Sequence, residues 1–229
     1  MVSSAITEPE ANMTEVIALL DREVNGRHML NHPFYQRWSA GELTRGELEE
    51  YSRQYYPYTL AFPTFVSAMH AHTDDIAIRQ YLLENLIEEE RGPENHPELW
   101  LRFCDALGVD RDDVTATTAN AATTALIASM RNLARSEKLH EGLAALYAYE
   151  SQIPAVAKAK IEGLAAWYGI TAPRDIAFFS VHMTADVQHS QTARELLETL
   201  CDTPEKCEEA RQAAEQTVNA LYGFLDAVN

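Results

Sequence analysis

The sequence predicts an all-α bundle of seven or eight helices. Apolar residues recur at three- and four-residue spacings along most of the chain, and alternating apolar–polar runs joined by hairpin turns are absent. Several prolines and glycines stand at or near the ends of the periodic segments, where helices start and stop.

The first helix is expected over 13–25, followed by a loop that contains "NHPFYQRW". In "TRGE", Thr44 and Glu47 have the spacing of a capping box, which opens a helix over about 45–72. Pro57 and Pro63 should kink or break that helix. Further helices are expected over 74–91, 97–108, 118–136, 138–168, 174–201 and 204–227. Pro97, Pro173 and Pro204 stand near starts, and Gly92, Gly108 and Gly169 near ends. The chain has no internal repeat, low-complexity tract or Gly-rich phosphate loop, so one domain over 1–229 is expected, with 1–11 flexible.

The formal net charge of −17 would repel nucleic acid and anionic lipid. Its plain meaning is solubility, and a part of it is available to hold cations. No run has the length of a membrane span, and "MVSSAITEPEANMTE" lacks a basic and an apolar region, so a cytoplasmic location is expected. Cys104, Cys201 and Cys207 fit no zinc spacing and are expected to be reduced and buried.

The functional signal lies in polar residues on apolar stripes. In the helix containing "SVHMTADVQHSQ", residues Ile176, Phe179, His182, Asp186, His189, Ala193, Leu196 and Leu200 step by threes and fours. The apolar ends make this a core-facing stripe, and its middle is His, Asp, His. Over 138–168 the stripe Leu139, Leu143, Leu146, Glu150, Ile153, Ala157, Leu164 places a glutamate on a core step. Over 74–91, Ile78, Leu82 and Leu86 lead to Glu89, and His96 follows a Gly-Pro break. Three clustered carboxylates cannot all ionise in a low-dielectric site, whereas two divalent cations bring roughly +4 against their −3. Nitrogen and oxygen donors without thiolate suit iron or manganese and also admit zinc. A ferritin-like di-iron bundle needs two Glu-x-x-His motifs, and the chain has one, Glu137 to His140, beside the Leu139 stripe rather than on it.

Glu89-x6-His96, Glu150 and His182-x3-Asp186-x2-His189 together resemble the ligand pattern of the haem-oxygenase-like dimetal oxidases. Within that group the chain most resembles the p-aminobenzoate-forming proteins that include the Chlamydia protein associating with death domains, from about residue 12 to 225. The stretch "HPFYQRWSAGELTRGELEEYSRQYY" is also similar to thiaminase II-like proteins and the pyrroloquinoline-quinone synthesis oxidase, which share the fold. The resemblance implies a haem-oxygenase-like bundle and an Fe/Fe or Mn/Fe centre held by Glu89, His96, Glu150, His182, Asp186 and His189. It implies O2 as co-substrate, an external reductant and a homodimer. It further implies formation of p-aminobenzoate for folate synthesis, with the ring taken from a tyrosine of the protein and the amino group from a lysine. The matching residues are Tyr35 of "HPFY" and Lys160, ten residues after Glu150. Tyr149, beside Glu150, is expected against the ligand set. On its stripe, Lys160 either snorkels to solvent or lies near the carboxylates. Three alternatives stay open: the same centre acting on an external amino acid or fatty acid, an interaction protein with a vestigial site, and a thiaminase-like hydrolase with a cysteine nucleophile.

Overall fold

The computed structural model describes residues 8–229. Among them are eleven α-helices and no strand: α1 (Glu8–Gly26), α2 (Pro33–Ala40), α3 (Arg45–Ala71), α4 (Ile76–Glu90), α5 (His96–Ala106), α6 (Arg111–Thr115), α7 (Ala121–Ala134), α8 (Leu139–Glu150), α9 (Ile153–Gly163), α10 (Ala177–Leu200) and α11 (Pro204–Ala227). The stretch 1–11 expected to be flexible falls mostly outside the described residues.

The all-α class holds, and three helices beyond the expected eight have local causes. "HPFYQRW" forms α2 because the His32 ring nitrogen Nδ1 accepts from Phe34 N at 3.1 Å and Pro33 presets the first helical residue. The segment 138–168 divides at Ser151 and Gln152. Pro154 has no N–H to bond the Glu150 carbonyl, so α8 ends there and α9 begins anew. Arg111–Thr115 forms the short α6, with Asp110 as its cap.

The capping box of α3 is present: Thr44 N donates to Glu47 Oε2 at 2.6 Å, and Glu47 N donates to Thr44 Oγ1 at 3.3 Å. Pro57 and Pro63 do not break α3, which runs through both. Tyr55, Tyr58, Phe62 and Phe65 are buried around them, and this packing outweighs the hydrogen bonds the prolines remove.

Buried side chains form one continuous core cluster. Helix α11 packs on α8, α1 and α7, while α10 packs on α9 and α8. Helix α3 packs on α4, α5 and α7. Helix α2 packs on α9, where Gly163 lies against Trp38 and the Trp38 Nε1 donates to the Lys160 carbonyl at 3.2 Å. No described helix is long and apolar enough to cross a membrane.

Candidate metal centre

Four helices bring the six predicted donors together. Glu89 lies in the last turn of α4, His96 opens α5, Glu150 closes α8, and α10 supplies His182, Asp186 and His189. The loop from α4 to α5 turns tightly because Gly92 takes a left-handed φ of 84°. The Asn95 side chain then caps α5 by accepting from Glu98 N at 3.0 Å.

All six residues are buried, with 1–8% of their surface exposed. They fall into two triads, Glu89–His96–His182 and Glu150–Asp186–His189, and within each the donor atoms lie within 4.8 Å of one another. His96 Nδ1 is 2.8 Å from Glu89 Oε2, near but without hydrogen-bond alignment. His96 Nδ1, Glu150 Oε2 and Asp186 Oδ2 are buried and have no hydrogen-bond partner. Orphaned polar atoms of this kind are costly in a core, and a cation in each triad would satisfy them. The donor set therefore fits two metal ions.

The electrostatics carry the same tension. Burial, then Asp186 and Glu89, push the Glu150 carboxyl above the usual range, against His189 and an Asn85 Nδ2 bond of 3.0 Å. Burial lowers His189, but Asp186, Glu150 and Glu88 outweigh it and raise the ring to about 9. Burial also opposes charge on His96, and Glu89 overcomes it, so its pKa rises. His182 stays low, chiefly through burial.

Several contacts around the triads had no sequence signature. The His182 Nδ1 faces the Phe178 carbonyl at 2.5 Å, leaving Nε2 for the triad. The His189 Nε2 lies 3.2 Å from Glu88 Oε2, and its Nδ1 is 3.6 Å from Asp186 Oδ1. Asn85 stands one turn before Glu89, but nothing in the sequence says that Glu150 lies opposite. A cleft of about 960 Å³ between α4 and α10, edged by Glu84, Glu88 and Glu94, reaches His96 and His189.

The other predicted residues gather behind the triads. Lys160 neither snorkels nor lies among the carboxylates. It is 4% exposed, and its Nζ donates to Tyr51 OH at 2.6 Å. The Nζ lies 5.5 Å from the Tyr35 ring centre, 5.1 Å from that of Tyr51 and 5.3 Å from that of Tyr55. Burial alone holds its pKa at about 7. Tyr35 is buried beside it on α2, and burial raises its phenol. Tyr149 OH is 2.5 Å from Tyr55 OH, and the Tyr51 and Tyr55 rings stack at 5.6 Å. Hydroxyls and rings thus run from the triads to the Tyr35–Lys160 pair.

Two predicted alternatives find other uses for their residues. His140 pairs with Glu209 of α11 at 2.8 Å, and Lys138 also pairs with Glu209, so that cluster joins helices with its own cation. Cys104 is buried, and burial pushes its thiol up to about 12, far from a nucleophilic thiolate.

A buried pair of carboxylate–histidine triads in a helical bundle defines a candidate two-metal site. The chain belongs to the iron-containing redox enzyme family, whose sequence pattern matches residues 49–222, and so is an oxidoreductase with a metal cofactor. It is 44% identical over 219 residues to the 4-aminobenzoate synthase of Nitrosomonas europaea, covering 92% of this chain and 89% of that one. It is 42% identical over 208 residues to the 4-aminobenzoate synthase of Chlamydia muridarum, covering 91% and 87%. A TenA homologue from Pseudomonas syringae pv. tomato shares the fold, with a TM-score of 0.76 and 19% identity over 100% of this chain and 95% of that one.

Proposed function

We propose that this chain forms 4-aminobenzoate by oxidising its own Tyr35, with Lys160 as the source of the amino group. The observation that carries the reading is the burial of Lys160 against the Tyr35, Tyr51 and Tyr55 rings, where it lines one small cavity with Tyr149 and with His182 of the first triad. Relatives named 4-aminobenzoate synthase, similar over nearly the whole chain, support the same product.

Glu89, His96 and His182 would hold one ion, and Glu150, Asp186 and His189 the other. An Fe/Fe or Mn/Fe pair there supplies oxidising power from O2 and an external reductant. The rest falls to the protein. Asn85 orients Glu150, Glu88 and the Phe178 carbonyl fix two imidazoles, and Tyr149 and Tyr55 join the centre to the reacting pair. With its pKa held at about 7, Lys160 presents much of its amine neutral and nucleophilic at physiological pH. The aromatic walls keep water from both groups. The chain would act as one helical domain and as a cytoplasmic homodimer supplying folate synthesis.

Purified protein given iron, manganese, reductant and O2, with no organic substrate, should release 4-aminobenzoate and lose mass. Tyr35→Phe should bind the same metal and release none. Normal product from that variant would remove Tyr35 from the reaction, and inertness until an amino acid or fatty acid is added would favour an external substrate.

A further inference from the structure

Between the Tyr35 phenol and the Lys160 amine stands a third polar group. Lys160 Nζ donates to Tyr51 OH at 2.6 Å, and the Tyr51 side chain is hydrogen-bonded in turn to that of Tyr35. A phenol has one hydrogen to give and lone pairs with which to accept. Since Tyr51 accepts from the amine, its own hydrogen is the one that reaches Tyr35. Amine and two hydroxyls thus form a chain with a direction, from Lys160 through Tyr51 to Tyr35.

Three helices hold that chain: α2 carries Tyr35, α3 carries Tyr51 and α9 carries Lys160. Tyr51 is fully buried, and its ring is wedged against Phe34, Trp38 and Trp100 at centroid distances of 4.9, 5.8 and 5.8 Å. Burial, then Tyr35 and Tyr55, keep its phenol protonated. A hydroxyl in this state is no base in its own right. It takes up a proton on one side only as it gives one up on the other.

We propose that Tyr51 is a further catalytic residue, the proton relay that lets nitrogen replace oxygen on the Tyr35 ring. The assignment rests on Tyr35 and Lys160 being the reacting pair. A phenol does not exchange its oxygen for an amine until it is oxidised. The O2-derived oxidant therefore first takes two electrons and two protons, leaving a carbonyl at the carbon that bears the Tyr35 oxygen. The neutral Lys160 amine then forms a C–N bond to that carbon. Its two protons pass through Tyr51 to the ring oxygen, the C–O bond breaks, and the oxygen leaves as water. No electrons change hands in this exchange, and Tyr51 ends as it began. Without the relay, the nitrogen must shed protons and the oxygen gain them in a pocket walled by aromatic rings.

Tyr51→Phe tests the relay, with iron, manganese, reductant and O2 supplied and no organic substrate. Ring packing is kept, so metal content and oxidation of Tyr35 should match wild type. The release of 4-aminobenzoate should be slower by about a hundredfold. Ring products that keep their oxygen should collect instead, read by mass as 4-hydroxybenzoate or as oxidised Tyr35 still in the chain. The ratio of oxygen-bearing to nitrogen-bearing product separates the roles, because a merely loosened site lowers both alike. Tyr51→3-fluorotyrosine keeps the hydroxyl and the packing, and should retain 4-aminobenzoate as its main product. An unchanged rate in Tyr51→Phe overturns the relay and leaves the Tyr35–Lys160 reading standing. A proportionate fall of both products, or loss of 4-aminobenzoate in Tyr51→3-fluorotyrosine, makes Tyr51 a packing residue and also overturns it. Wild type that forms product with Tyr35 intact removes the reacting pair and this proposal together.

Discussion

Lys160 is where a single residue sets a global property. Its amine is held at about 7 in the fold against the ordinary 10.5. Between those values the unfolded chain binds a proton that the folded chain does not, so this group makes folding more favourable as pH rises from about 7 to about 10.5 and is fully unfavourable below. Lys160→Met keeps the length and removes the titration, at the loss of the bond to Tyr51. By denaturant unfolding, its stability advantage over wild type should shrink by a few kcal/mol between about pH 7 and about pH 10. An advantage that does not change with pH would mean that the amine stays charged in the fold. The same scale shows what a sequence can reveal about a site. His182, Asp186 and His189 were legible because a helical stripe displays its own exceptions. Asn85 and Glu88 were not, since each takes its meaning from an atom on another helix: Glu150 and His189.

At the scale of elements, helix ends decide where the chemistry sits. Glu150 closes α8 because Pro154 cannot continue it, and Lys160 then lies on a separate helix, α9, facing α2. Periodicity alone joined α8 and α9, because the stripe continues across the break. It also read α2 as a loop, because histidine is a rare cap and its role depends on the ring turning back onto the Phe34 N–H. The α2–α9 contact is the close one. A Cβ on Gly163 would stand 2.6 Å from Trp38 Cδ1 and 3.1 Å from the Trp38 carbonyl oxygen. Alanine would gain about 1 kcal/mol of helix propensity, yet overpacking costs typically 1–3 kcal/mol and the Trp38–Lys160 bond would be disturbed. Gly163→Ala should therefore lower the melting temperature and separate Tyr35 from Lys160, cutting 4-aminobenzoate yield while metal content stays constant. Unchanged stability and yield would show that the two helices can part without consequence.

For the whole molecule, the centre is a clamp on four helices whose donors come from positions 89 to 189 of the chain. Without cations the fold must bury Glu89, Glu150 and Asp186 together, and burial already pushes the Glu150 carboxyl upward. Ions that bind the folded chain and not the unfolded one add stability by mass action, about 2.7 kcal/mol per site at a hundredfold excess over Kd. For a chain of this size each kcal/mol raises the melting temperature by about 2–4 °C. Loading two ions should thus raise it by roughly 10–20 °C, and a chelator should reverse the rise. Asp186→Asn separates the two contributions. It removes one charge from the buried cluster, so the metal-free protein should melt no lower than wild type. It also replaces an anionic donor of the second triad by a neutral amide oxygen that binds a cation more weakly, so the metal-dependent rise should fall to about half or less. Scanning calorimetry with and without iron would read both, and a full metal-dependent rise in Asp186→Asn would exclude that carboxylate from the centre.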